Sequence, residues 1–438
     1  MSLYSRIKNV ATSLLLGGLL LGYQSPIFAQ GLGNSPYTLL GIGELYSDGF
    51  GSSQSMGDAG VASSNGIHVN NLNPALWAAN RLTTLEFGAI GQYKKIEAPT
   101  KSQRDFGANL SYFVLAFPVS PKWTSGISLK PHSFVDYESR NSGKIPGTIY
   151  DAYYTYKGKG AVNKAAFTNG FQIGKYVSVG LEASYLFGNV KKSSESMINI
   201  GDGKDYTANR NERTSYSDIA LRGGAAVRIP VAKDKITKLN KLFLNLGGTY
   251  SLGSDINAQQ TSSIDLSQNT FVIGVPDTLT HNEKGHVRLP AQYRLGASLE
   301  WPYKLTLAVD FEHQSWEQYR SFSNSSDGLS NVNKVHLGME YIPNIRSTSS
   351  YFSQVAYRLG FSHGNMPYTP ANQSELKDTN VSLGFSFPIG RSANTVTLTL
   401  VGGSRGVVSD QSFKETYGRF IFGVSFSDRD WFRKQKID

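Results

Sequence analysis

The sequence predicts an all-β fold: a 14-stranded antiparallel transmembrane β-barrel with an N-terminal hatch inside the lumen. Three observations predict it. From about residue 81 onward the chain reads as fourteen segments in which apolar and polar residues alternate, the period of a strand with two unlike faces. The gaps between these segments are alternately short and long, as around a barrel with one short-turn rim and one long-loop rim. The part after the leader has no continuous apolar run of about 20 residues, so it offers no spanning helix. Yet it is rich in Tyr, Phe and Gly, the composition of lipid-facing strands with aromatic belts.

Taken in order, residues 1–29 read as a secretory signal. Arg6 and Lys8 supply the positive start and Leu14 to Gly22 the apolar stretch. Ser25, Pro26 and Ala29 lead to a cut before Gln30. The net charge of +10 falls to +8 once Arg6 and Lys8 leave. The absence of cysteine excludes disulfides, thiolate metal sites and a lipid-modified N-terminal cysteine. The basic residues are scattered along an exported chain. They predict contact with membrane lipids and lipopolysaccharide, and no nucleic-acid partner.

Residues 30–80 break the strand rhythm. They hold many glycines, then Asn70-Asn71-Leu72-Asn73-Pro74-Ala75-Leu76-Trp77. Leu39, Leu40, Ile42, Leu45, Met56, Val61, Leu76 and Trp77 are too many apolar residues for a disordered leader. The segment reads as a hatch, or plug, inside the barrel. Asn71, Asn73, Pro74 and Ala75 form its tight turn, with Asn side chains satisfying turn backbone.

The barrel itself reads as 81–427, with strands near 81–92, 105–118, 122–137, 160–173, 175–190, 213–229, 241–254, 285–301, 303–316, 332–343, 353–364, 378–388, 395–408 and 416–427. Long polar loops are expected at 138–159, 191–212, 255–284, 317–331 and 365–377. An even strand count places both termini on the short-turn rim, which in outer-membrane barrels is periplasmic. Residues 428–438 form a basic periplasmic tail with Trp431 and Phe432, suited to an interface or a partner.

Several motifs resemble a known family. Met56-Gly57-Asp58-Ala59-Gly60-Val61-Ala62 precedes Asn73-Pro74-Ala75. Leu289-Pro290-Ala291-Gln292-Tyr293-Arg294-Leu295-Gly296 precedes Leu305 to Asp310 and Trp316. Tyr357-Arg358-Leu359-Gly360-Phe361 follows. Together they resemble the FadL-type long-chain fatty-acid transporter family and the related PorV-like accessory barrels of the type IX secretion system. The resemblance implies fourteen strands, an N-terminal hatch, and hydrophobic ligands that leave sideways through a kinked third strand. The chain departs from the transporters in its long loops, which show no apolar helical pair at the outer mouth.

Four groups of residues carry the functional reading. Pro131 lies within the third strand and offers no N–H to a ladder. With Lys130 and His132 it forms a candidate lateral gate; alternation turns Ile127, Leu129, Pro131 and Val135 to lipid. Phe113, Leu115 and Phe117 read as an apolar wall of the lumen. Arg222, Arg228, Arg288, Arg294, Glu300, Asp310, Glu340 and Arg358 read as a lumen charge lattice, joined by Glu86, Glu182 and Glu312. Buried charges of this kind must pair or stay wet. The hatch turn is the fourth group.

No catalytic or metal-ligating pattern emerges. Gly402-Gly403-Ser404-Arg405-Gly406 matches a nucleophile elbow in letters, but no helix is expected after it. His281 and His286 lack zinc-ligand spacing. The expected protein is not an enzyme and needs no cofactor. It is an integral outer-membrane channel for passive uptake of small hydrophobic or amphipathic molecules. The alternative is a PorV-like accessory barrel that binds secreted proteins, a translocon or another outer-membrane complex partner.

Overall fold

The computed structural model describes residues 31–428, apart from 64, 201–203, 235–239, 270, 370–374, 391–392 and 410–411. The leader 1–29 and the tail beyond Asp428 lie outside the described residues.

Fourteen strands close into an antiparallel barrel. They are β1 (Thr83–Glu97), β2 (Ser102–Ser120), β3 (Trp123–Lys144), β4 (Asp151–Ile173), β5 (Val177–Asn199) and β6 (Asp205–Lys233). Next come β7, in two pieces (Asn240–Ser251 and Ser254–Gln268), and β8, also in two (Asp277–Leu289 and Gln292–Trp301). The rest are β9 (Leu305–Gln314), β10 (Val332–Tyr341), β11 (Ala356–Asn365), β12 (Lys377–Pro388), β13 (Thr395–Arg405) and β14 (Lys414–Asp428). Each pairs with its neighbour in sequence, and β14 closes on β1 from Lys414↔Glu97 to Asp428↔Thr83. Outward positions carry Phe87, Leu181, Leu295, Leu337, Leu400, Phe420 and Phe422, all exposed. Such a wall needs lipid rather than water outside it.

The barrel is taller on one side. Strands β3 to β6 run 22 to 29 residues, whereas β9 to β11 have ten each. The stretches 138–159, 191–212 and 255–284, expected as long loops, are therefore mostly paired strand. A tight turn, with Thr148 N donating to Ile145 O, joins β3 to β4. Above the membrane the outer face meets water, so the apolar/polar contrast fades while the hydrogen-bond ladder continues.

Two irregularities reverse which side chains face inward. At the level where β7 breaks after Ser251, β8 breaks at Pro290-Ala291. Val287 and Leu289 point inward above the break; Arg294 points inward and Leu295 outward below it. Arg288, expected in the lumen lattice, is consequently on the outer face, and its backbone pairs with that of Arg320. In β2, Gly88↔Tyr112 is followed by Ala89↔Leu110, leaving Ser111 as an extra residue. This bulge turns Leu110 outward and, beyond it, Phe113, Leu115 and Phe117 outward too. The expected apolar wall thus faces lipid. The inward residues are Tyr112, Val114 and Ala116, all buried against Phe50, Val69 and Trp77.

Candidate functional site

The segment 31–80 packs along inward faces of the barrel. Asn73 Oδ1 accepts from Ala75 N at 2.9 Å, and Asn73 Nδ2 donates to Val61 O and Ala225 O. The first bond caps the short helix Pro74–Ala79, whose opening proline needs no donor. That helix lies against Gly170, Gly180 and Gly224 on β4, β5 and β6. A Cβ on Gly180 or Gly224 would collide with Pro74 or Asn73. Asn71 is tied on both sides, with Nδ2 donating to Asp48 O and its carbonyl accepting from Arg222. The receiving glycines were not singled out by the sequence. Their signal is Gly at inward positions of consecutive strands.

The inward charges gather into ion-paired groups, most of them touching this segment. Asp48 lies 3.5 Å from Lys130, 3.5 Å from Arg222 and 4.0 Å from Lys164. Glu182 binds Lys164 at 2.6 Å and also pairs with Arg222. Burial alone would raise the Asp48 carboxyl, but the surrounding Lys164, Lys130 and Arg222 hold it well below the usual carboxylate range. Lys130 also donates to Ser47 O. Asp310 accepts from Gly60 N and Val61 N at 2.9 Å each and pairs with Arg294, which in turn meets Glu312. Arg358 and Glu340 pair at 2.7 Å, and Glu340 accepts from Asn65. Arg228 pairs with Glu300 at 2.8 Å, away from the segment.

A further group was missed by the sequence reading. Arg405 binds Glu44 at 2.7 Å and Glu415 at 2.6 Å, and Arg419 reaches Glu44 at 3.2 Å. Glu44 is drawn below its ordinary range by Arg405, Lys94 and Arg419, against the opposing effect of burial. Arg405 and Glu415 occupy inward positions of β13 and β14. Strand alternation applied to those two strands would have exposed the pair. Ser404, the would-be nucleophile, sits inside β13 rather than on a strand–turn–helix elbow.

The third strand leaves the wall. Pairing between β2 and β3 runs from Ser120↔Trp123 to Phe113↔Leu129, and among the described residues it stops there. On the other side, Pro131↔Asn163 is followed by Ser133↔Val162, so His132 is bulged out at the proline. Beyond the bulge Ser133, Phe134 and Val135 are all fully buried. Val135, expected to face lipid, instead joins an apolar core inside the tall half of the barrel with Ile42, Leu186, Ile256, Val287 and Trp316. The open edge of β3 is taken by the N-terminal segment. Glu44↔Phe134 and Leu45↔Ser133 pair as strand, Tyr46 N donates to His132 O, and Ser35 N donates to Asp136 O. Gly107 of β2 lies so close to Leu32 and Gly33 that a Cβ there would overlap their backbone. His132 lines a cavity of about 180 Å³ between the segment and the far wall, together with Glu44, Asp58, Arg294, Glu312 and His336.

A closed antiparallel barrel of fourteen strands, with its N-terminal segment in the lumen and an apolar outer wall, defines a transmembrane β-barrel. More particularly, the chain belongs to the BamG family, whose model matches residues 8–438. Among solved structures, the toluene transporter TodX of Pseudomonas putida shares the fold with a TM-score of 0.55 and 14% identity, over 87% of this chain and 99% of that one. The toluene transporter TbuX of Ralstonia pickettii gives 0.52 and 13%, over 87% and 99%. A FadL homologue of Pseudomonas aeruginosa gives 0.52 and 10%, over 87% and 98%. At these identities the likeness concerns the fold. No curated protein sequence matches the chain.

Proposed function

We propose that this protein is an outer-membrane channel for passive uptake of small hydrophobic or amphipathic molecules. In this reading residues 31–80 are its hatch, the interrupted seam between β2 and β3 is its lateral exit, and both termini lie on the periplasmic rim. The observation that carries the proposal is the seam itself. Pairing stops at Phe113↔Leu129, and what fills the opening is a separate stretch of chain held by few strand pairs. A segment held this way can withdraw without breaking the barrel ladder. The apolar core behind it, with Ile42 and Leu45 of the segment packed against Val135, Leu186 and Trp316, then offers an apolar path to the membrane. That two similar folds are those of toluene transporters supports a hydrophobic substrate class. The Lys130, Pro131 and His132 stretch serves as the hinge of the exit. No chemical step and no cofactor are involved.

The test uses the absence of native cysteine. Leu45→Cys with Ser133→Cys joins register partners across the seam. Oxidised protein in liposomes should take up a labelled monoaromatic hydrocarbon or long-chain fatty acid more slowly than the same protein after reduction. Equal uptake in both states would remove the seam from the path.

A second reading, the accessory barrel that binds a secreted protein or a translocon, is favoured by one observation. The top of the tall half exposes Phe271, Val272, Ile273 and Val275. It gains if no variant, including one lacking residues 31–46, passes any lipophile.

A further inference from the structure

We infer that the outer face of the barrel, where β14, β1 and β2 meet their upper rim, holds one phosphorylated, acylated glycolipid of the outer leaflet. The inference rests on the membrane placement proposed above, with the β1–β2 hairpin on the outside.

Its acyl half is a groove of about 620 Å³ on the lipid-facing surface. Tyr93, Phe106 and Phe420 form its walls, and Gly91, Gly402 and Gly418 its floor. The strand registers bring these together: Gly402 opposes Gly418, Gly418 opposes Tyr93, and Phe420 opposes Gly91. The floor glycines are informative because nothing in the fold requires two of them. A Cβ built on Gly402 or Gly418 meets no atom within 4 Å, and neither has a positive φ. Their effect is to leave room outside the wall, in a place where the other outward residues are mostly large. A surface that merely faces fluid lipid has no need of such a recess.

Its headgroup half lies directly above. Outward apolar positions of β1 run from Leu85 to Tyr93, about the nine residues that cross the hydrocarbon layer. The next outward position is Lys95, at headgroup level. Beside it, Arg104 of β2 is its register partner, and Lys414 of β14 is the register partner of Glu97. Lys101 sits in the connecting turn. Like charges directly opposite each other across a sheet are unfavourable. Here Lys95 and Arg104 are opposed, and Glu97, 2.6 Å from Lys95 Nζ, is the carboxylate that offsets them. The other described carboxylates of these strand ends are turned away: Asp105 accepts from Asn34 N, and Glu415 holds Arg405 inside the lumen. Among the described residues, four cations thus share one carboxylate at the height of the lipid phosphates.

Neither half alone identifies a ligand. Inorganic phosphate would use the cations and leave the groove empty. A neutral lipid would fill the groove and leave the cations facing one another. A molecule with phosphate groups at the interface and acyl chains below satisfies both, through charge-assisted hydrogen bonds from Arg104 and the lysines and through burial against Phe106 and Phe420. On the outward rim, the lipid with that chemistry is the phosphorylated glycolipid of the outer leaflet.

The experiment uses the full-length barrel in mild detergent with purified lipid A as probe, and reads retained lipid by native mass spectrometry. The triple variant Lys95→Gln, Arg104→Gln, Lys414→Gln should retain at least about tenfold less, since each cation near an anionic lipid surface contributes on the scale of such a factor. Gly402→Leu fills the groove, leaves every charge in place and should also reduce retention. Lys304→Gln, on the opposite rim, should not. Wild-type retention in the triple variant overturns the site, as does equal retention of dephosphorylated lipid A. Equal retention of a phosphoglyceride overturns the assignment to a glycolipid. A chain that never partitions into detergent would instead defeat the membrane placement, which separates the two failures.

Discussion

Phe134 and Val135 are neighbours on β3, point in opposite directions, and are both fully buried. In a barrel wall one of two consecutive residues must face lipid, so β3 has left the wall at this point. Phe134 packs with Leu32, Ile90 and Tyr417; Val135 packs with Ile42 and Leu186. The cause is local: Pro131 lacks a donor, and the bulge at His132 bends the strand inward.

Pro131→Val restores the missing N–H and removes the reason for the bulge. The variant should fold and insert as well as wild type, because the lower pairs from Ser120↔Trp123 to Phe113↔Leu129 do not involve it. Uptake of hydrophobic probes should slow. Unchanged uptake of every lipophile tested, with normal assembly, would sink the exit and move the weight to the accessory-barrel reading.

Asp48→Asn removes a carboxylate from among Lys130, Lys164 and Arg222. Breaking a buried ion pair by deleting one partner costs about 3–5 kcal/mol where the remaining charge has no other partner. Glu182 still serves Lys164 and Arg222, so a loss of roughly 2 kcal/mol is the better expectation. The readout is faster proteolysis within 31–80 at unchanged barrel heat stability. A resistant segment would show that Asp48 does not hold it.

All fourteen strands were legible in the sequence, because lipid outside the wall forces one face of each to be apolar. The facing of particular residues was less so. Val287, Leu289, Tyr293 and Leu295 look like one unbroken apolar stripe. In fact the first two point into the apolar core beside Trp316 and the last two point to lipid, with the break at Pro290-Ala291 between them. Apolar residues on both sides of the wall at different heights make a face reversal invisible to alternation. Ser111 hides the same way, since Leu110 and Phe113 both face out across it. The charged residues Arg222, Arg294, Asp310, Glu340 and Arg358 were legible as inward, because a charge cannot face lipid cheaply. Arg288 was not, since it lies above the membrane, where that constraint lapses. Glu44 and Asp48 escaped notice because the segment that carries them has no period to read.

Gly224→Val tests the hatch from the receiving side. The added side chain would enter the space of Asn73 and Pro74, and overpacking of this kind costs about 1–3 kcal/mol or displaces the intruder. The strand itself gains a good β-former, so the barrel should assemble. Conductance in planar bilayers should rise toward that of a barrel lacking residues 31–76. Wild-type conductance in both proteins would mean that the segment does not close the pore.

Acid should release the segment, and the sign follows from Glu44 and Asp48. Arg405, Lys94 and Arg419 hold Glu44 below the ordinary carboxylate range, and Lys164, Lys130 and Arg222 do the same for Asp48. Once the segment is free in water, both carboxyls return toward their usual values near about 4. A group with a depressed value in the docked state stabilises that state fully above its free value, and the contribution disappears as pH falls through the depressed one. Docking should therefore be flat from neutral down to about pH 5 and weaken only in stronger acid. Arg405→Gln removes the cation nearest Glu44, so release should begin at higher pH than in wild type. Protease cleavage within 31–80, measured as a function of pH for both proteins, reads the difference. Coincident release curves would show that the Glu44–Arg405 pair does not control the segment.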